Sequence, residues 1–309
     1  MEKRPLGRTG YEATVLGFGA MEVRGPRIWG GRELSDVQAQ RILNAVLDAG
    51  INLIDTAWDY GRSEEYIGRF ISNRRDEYFL ATKCGCTWVD RGEYDETPHV
   101  WTRENLTKNI DDSLRRMKTD HVDLLQLHNP SVEQVEQGDL VQVLKDIQAS
   151  GKTRFIGYSG DHKAALYAIE CGAFDSLQTS VNIADQECVT LTLPKAQAAG
   201  MGVIAKRPIA NVAWKSGDQK PDNAYTHTYW ERLRELDYDF LKGNDAVATA
   251  LRFTLSQPGV CTAIVGTTKP ERWQSNAKLL DAGMLPQAQM DAIRARWQEV
   301  SGPSWVGQG

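Results

Sequence analysis

One rhythm constrains this chain more than any other feature: a helical stretch that stops at glycine, a short apolar run, then a polar turn. AVLDAG stops at Gly50 before INLID, and DIQASG stops at Gly151 before KTRFIGYS. AIECG stops at Gly172 before AFDSLQTS, and AQAAG stops at Gly200 before MGVIAK. Glycine just past a helix takes the left-handed C′ conformation without a Cβ penalty, so each joint reads as a helix end feeding a strand.

Extended along the chain, the rhythm predicts strands near 15–18, 51–54, 78–82, 123–127, 154–158, 175–178, 202–205 and 260–265. Helices are predicted near 36–48, 63–71, 102–117, 133–149, 161–170, 187–198, 244–256 and 270–280. Short, continuously apolar runs suit strands buried on both faces. Eight strands alternating with eight helices predict an α/β fold of the (β/α)8 TIM barrel class. Ser35 with Gln38, and Ser131 with Gln134, have the spacing of capping boxes, and Thr102 suits an N-cap. A doubly wound sheet is the alternative, but no GxGxxG follows the first strand. The 309 residues are read as a single domain, 1–309, with 206–243 as a long loop carrying a short helix and 300–309 as a tail.

Composition narrows the function classes. With 36 Lys plus Arg against 41 Asp plus Glu, the formal charge is -5 and the signs are mixed along the chain. That is not the dense basic footprint of a nonspecific nucleic-acid binder. Five scattered cysteines, an odd number, argue against a full disulfide framework and fit a reduced, cytoplasmic setting. The opening MEKRPLGRTG lacks an apolar h-region, and no apolar segment approaches the ~20 residues of a spanning helix, so no membrane contact is expected.

The chemistry is expected where strands end, because the C-terminal ends of barrel strands surround one site. Asp55 closes INLID and Tyr60 follows in the next turn; Lys83 closes YFLATK and His128 closes VDLLQLH. A phenol with an ordinary pKa near 10 donates a proton at neutral pH only if its surroundings stabilise the developing anion. Lys83 would stabilise tyrosinate, Asp55 would orient Lys83, and His128 would donate to Tyr60 or to the reacting oxygen. Such a device reduces carbonyl groups, given a hydride source that no side chain supplies. Singly, each of these residues is equally well explained by loop packing or a salt bridge.

These residues, with RPLGRTGYEATVLGFGA, DTAWDYG, LLQLHNP, GYSG, SLQTSVN and IVGTTKPERWQSN, resemble the aldo-keto reductases over almost the whole barrel. The resemblance implies a (β/α)8 barrel with an N-terminal β-hairpin and enlarged loops on the C-terminal face. It implies direct hydride transfer from NAD(P)H, without flavin or metal, to an aldehyde or ketone. Asp55, Tyr60, Lys83 and His128 match the family's catalytic tetrad, with Tyr60 as proton donor. Ser159, Gln178 and Asn182 match positions at the nicotinamide end, Asn182 mainly supporting that wall. Gly266, Thr267, Thr268, Lys269, Arg272 and Asn276 match the adenosine-side phosphate positions.

The residues add their own argument here. Pro270 suits the first position of a helix, where amides receive an anion beside Lys269 or Arg272. The guanidinium fork of Arg272 favours NADP(H), with NAD(H) as the alternative. Gly160, Gly266 and Ser275 depart from common family residues, and Lys206 stands where many relatives carry an aromatic. Lys206 and Arg207 are assigned either to the pyrophosphate or to surface charge.

Trp29, Trp58 and Trp88, from the first three post-strand loops, are expected to line an apolar substrate slot with His128. Cys84 and Cys86 form a CxC without a zinc-site context, and His99, His121, His162 and His227 repeat no ligand spacing with His128, so no metal is expected. The rival reading from another class is a nucleotide-binding redox sensor or channel-associated regulatory protein. No obligatory protein partner is predicted.

Overall fold

The computed structural model describes residues 1–308. Eight parallel strands close into a barrel: β1 Leu16–Gly19, β2 Leu53–Asp55, β3 Phe79–Cys84, β4 Val122–His128, β5 Thr153–Ser159, β6 Ser176–Ser180, β7 Gly202–Lys206 and β8 Val260–Val265. Each strand pairs with its neighbours in chain order, and β8 returns to β1 with Ala263 opposite Leu16. All eight expected strands are present.

Alternation along the strands decides which side chains reach the lumen. Leu53, Phe79, Ala81, Leu124 and Ile204 pack inside the lower barrel against Leu6 and Ala13. Their neighbours Ile54, Leu80, Leu125, Leu127 and Val203 point outward into the larger core beneath the helices. The hairpin of Lys3–Pro5 and Glu12–Thr14 closes the N-terminal end. Its Gly7, at φ +52°, lies so near β7 that a Cβ would stand 2.1 Å from the Gly202 nitrogen.

Helices α1 Asp36–Asp48, α2 Ser63–Phe70 and α3 Arg103–Met117 cover the first strands. Both expected capping boxes form, and Thr102 accepts from the Asn105 N–H. Two expected helices are broken. The segment 133–149 divides into Val132–Gln137 and Leu140–Ala149, with Gly138 extended between them. The segment 187–198 divides into Glu187–Leu191 and Leu193–Ala198, because Pro194 has no N–H for the preceding turn.

The long segment after β7 is better ordered than a loop. Helix His227–Leu236 buries Tyr229, Trp230, Leu233 and Leu236 against Met290, Ile293 and Trp297 of a helix at Gln287–Val300 that the sequence reading did not identify. Residues 301–308 are not a free tail. Trp305 packs edge-on against Trp297 at 5.2 Å, and Arg232 donates to the Val306 carbonyl. The Gly307 and Gln308 N–H groups donate to Glu187 and Asp185. Among the described residues no helix is long and apolar enough to cross a membrane, and all five cysteines are free.

Candidate active site

Alternation places the polar strand ends as it places the core. With Leu53 and Ala81 directed inward, so are Asp55 and Lys83, two residues further on in β2 and β3; with Leu124 inward, so are Gln126 and His128 in β4. Lys83 lies opposite Gln126, and His128 opposite Ser159. The three residues expected at the strand ends therefore converge, together with Gln126.

At the centre is a buried ion pair, Lys83 Nζ to Asp55 Oδ1 at 2.5 Å, with Nζ also donating to the Thr56 carbonyl at 2.8 Å. The other Asp55 oxygen accepts from Gln178 Nε2 at 2.8 Å and Gln126 Nε2 at 3.2 Å. Ser159 Oγ donates to Gln178 Oε1 at 3.1 Å. Lysine and aspartate are almost never fully buried unless paired, and here each partner of Asp55 is a donor.

Tyr60 roofs this pair: Lys83 Nζ lies 5.0 Å from its ring centroid. Its loop is held by the Trp58 N–H on the Lys83 carbonyl and the Tyr60 N–H on the Ala57 carbonyl. Gly61 follows at φ +47°, where a Cβ would lie 2.2 Å from the Arg24 carbonyl oxygen. Burial, with the charges of Asp55 and Asp59 next, pushes the phenol well above its ordinary range, so it is a proton holder at neutral pH.

His128 packs edge-on against Tyr60 at 5.9 Å, and its Nδ1 lies 3.1 Å from Asp59 Oδ1. Asp59 is buried, which alone would raise its carboxyl. The charge and hydrogen bond of His128, a backbone hydrogen bond and the charge of Lys83 outweigh that and hold it below the usual range. A carboxylate on Nδ1 fixes the imidazole orientation and leaves Nε2 as the nitrogen for a ligand.

The three tryptophans separate. Trp29 stands edge-on to Tyr60, 5.9 Å between centroids, and is 45% exposed. Trp58 is instead buried against α3: its N–H donates to Asp112, and Arg116 lies 5.0 Å over its ring. Trp88 packs tilted against Trp58 at 4.7 Å and also receives Arg116. Of the three, only Trp29 flanks Tyr60, whereas Trp58 and Trp88 pack on each other and on Arg116.

Around the remaining strand ends, Asn182 is buried with Oδ1 accepting from the Ala184 N–H and Nδ2 without a partner. Lys206 pairs with Asp161 at 2.7 Å, and burial lowers its ammonium to about 8. Arg207 donates to Ser180 Oγ at 2.9 Å, to Tyr225 Oη at 2.6 Å and to the Gln308 carbonyl. Both cations are thus built into the mouth rather than left on the surface.

Beyond β8, Gly266 lies so close to Glu22 that a Cβ would meet its Cγ at 2.5 Å, and the Lys269 N–H donates to Thr267 Oγ1. Thr267 is buried, Thr268 and Asn276 are half-buried, and Lys269 and Arg272 are exposed. The helix begins only at Arg272, so Pro270 lies two residues before the first helical position expected for it.

Sequence reasoning missed Gln126, Asp59 and Asp161. Gln126 was legible in principle, as a polar residue two positions before His128 in an otherwise apolar strand. It also missed that Cys86 bridges to His99 and that both lie beside His128. Ligand spacing could not show this, because the contact depends on a loop folding back.

Comparison with known proteins places these observations in a family. The pattern of the aldo/keto reductase family matches residues 15–298. The chain is 25% identical to the L-galactose dehydrogenase of Arabidopsis thaliana over 99% of this chain and 97% of that protein. It is 26% identical to a probable voltage-gated potassium channel subunit beta of the same plant, over 91% and 92%. Among solved structures, the holo form of an aldo-keto reductase from Bacillus halodurans superposes with a TM-score of 0.79 at 24% identity, covering 96% of each chain. A closed parallel barrel with these residues at its mouth, matched by the family pattern from β1 to the last helix, makes the chain a member of the aldo/keto reductase family and an NAD(P)H-dependent oxidoreductase.

Proposed function

We propose that this protein reduces an aldehyde or ketone to the alcohol with NADP(H), and that Tyr60 is the proton donor. The observation that carries the reading is the buried Lys83–Asp55 pair beneath the Tyr60 ring, with His128 against its edge. When bound, the nicotinamide cofactor supplies the hydride to the carbonyl carbon. Tyr60 holds its proton until negative charge develops on the carbonyl oxygen, then donates it there. Lys83, positive and fixed by Asp55, stabilises the tyrosinate left behind. Fixed charge aimed at developing charge needs no reorganisation during the reaction. His128 orients the carbonyl oxygen through Nε2, braced from behind by Asp59.

The residues present suit a dinucleotide. Ser159, Gln178 and the unpartnered Asn182 Nδ2 form a buried polar wall for the nicotinamide carboxamide. The exposed Lys269 and Arg272, with Gly266, Thr267, Thr268 and Asn276, suit the adenosine-side phosphates, and the Arg272 fork favours a 2′-phosphate. Lys206 and Arg207 keep positive charge at the mouth. Trp29 beside Tyr60 supports an apolar or aromatic substrate edge.

The test is NADPH consumption against small aromatic aldehydes, sugar aldehydes, methylglyoxal and ketones, with Tyr60→Phe as control. Loss of roughly 10²–10⁴ in kcat, with an unchanged unfolding curve, is the expected result. Equal activity in folded Tyr60→Phe would overturn the donor. The similarity to a channel subunit motivates the regulatory alternative. Tight NADPH binding without turnover across the whole panel would favour it.

A further inference from the structure

Beside the proposed catalytic residues, and sharing His128 with them, one cluster combines a thiol with two imidazoles. Cys86, His99 and His128 each offer a ligand atom within 4.8 Å of the other two. Cys86 Sγ stands 3.8 Å from His128 Nδ1. A tetrahedral zinc with Zn–S near 2.3 Å and Zn–N near 2.0–2.1 Å sets its sulfur and nitrogen ligands roughly 3.6 Å apart. The Cys86–His128 separation is already close to that.

The cluster is also organised. Cys86 and His99 form an antiparallel bridge, and the ribbon of Val89–Asp90 with Asp95–Glu96 ties the segment between them. Parallel stacking on Trp101, 5.4 Å between centroids, orients the His99 ring. Behind His128 lies the buried Asp59 carboxylate, 3.1 Å from Nδ1, which adds negative charge beside the cluster.

We propose that Cys86, His99 and His128 form a binding site for a borderline-soft divalent cation of the Zn2+ type, and that filling it shuts off the reductase. Mixed thiolate and imidazole ligation selects such ions over Mg2+ or Ca2+. On binding, the Cys86 S–H bond breaks and its proton leaves to solvent as the S–Zn bond forms. The two histidines contribute ring lone pairs, and no redox change occurs. His128 Nδ1 gives up to solvent the proton it holds toward Asp59, and its freed lone pair binds the metal, so the imidazole is no longer braced by Asp59 for the carbonyl oxygen. The shut-off rests on the proposed role of His128; the site itself does not.

The test uses the full chain after chelator treatment, with Zn2+ retention measured by equilibrium dialysis and Co2+ as a spectroscopic probe. One equivalent of Zn2+ and a thiolate-to-cobalt charge-transfer band are expected. Cys86→Ser should abolish the band, and His99→Gln should weaken zinc binding at least about tenfold, a change of ~1.4 kcal/mol. Both variants should keep metal-free NADPH consumption and escape zinc inhibition, which chelator reverses in the wild type. Absence of metal retention, or retention unchanged in both variants, would overturn the site. Zinc bound with the band present and turnover unaffected would instead overturn the shut-off and the role of His128. If no carbonyl is turned over at all, dialysis and the cobalt band still decide the site.

Discussion

At the scale of single residues, the Lys83–Asp55 pair carries most of what the sequence could say about chemistry. Both residue types were legible as polar strand ends, since a charged residue closing an apolar run is conspicuous. Their partners Gln126 and Gln178 act jointly on one Asp55 oxygen across three strands, which no local pattern encodes. Lys83→Met should remove activity and cost roughly 3–5 kcal/mol in urea unfolding, because Asp55 is left buried and uncompensated. The double variant Lys83→Met/Asp55→Asn should recover part of that loss while remaining inactive. If the double variant unfolds no later than the single one, the cost does not come from an orphaned charge. Trp58 shows the opposite lesson: its place in the chain suggested the mouth, and the cations of α3 claimed it.

At the scale of elements, strands were read well because short apolar runs between glycine stops have few other meanings. Helices were read less well wherever their face was sparse or interrupted. Gln287–Val300 buries only Met290, Ile293 and Trp297, too few to stand out from its polar surroundings. Close packing between elements was invisible. Gly68, inside α2, lies so near α3 that a Cβ would be 2.0 Å from the Arg116 carbonyl oxygen and 2.8 Å from the Met117 Cα. Alanine normally stabilises a helix interior by about 1 kcal/mol relative to glycine. Here the facing atoms are backbone, so Gly68→Ala should instead destabilise by roughly 1–3 kcal/mol. Thermal unfolding checks the sign; a raised Tm would show that α2 and α3 have room to part.

At the scale of the molecule, the C-terminal segment joins parts of the barrel that are distant in sequence. The Gln308 N–H and the Tyr229 hydroxyl donate to Asp185, with Arg232 nearby. Burial, with the charge of Asp161 next, nevertheless lifts the Asp185 carboxyl to about 7. A carboxyl raised in the folded state favours the protonated form, so its contribution is full below the ordinary value near 4. That contribution declines as pH rises to about 7 and is constant beyond. Compared with wild type, Asp185→Asn should therefore gain Tm steadily across that window and hold the gain above it; parallel Tm curves would refute the raised carboxyl. The sequence by itself determined the barrel and the polar strand ends Asp55, Lys83 and His128, with Tyr60 in the turn after the first of them, because strand period and glycine stops are local and the C-terminal ends of parallel strands must meet. Only the tertiary structure decided which tryptophan meets Tyr60, that residues 301–308 pack back onto the barrel, and that Cys86 and His99 join His128. Those contacts depend on loops folding back across the barrel, where no periodicity links one residue to its partner.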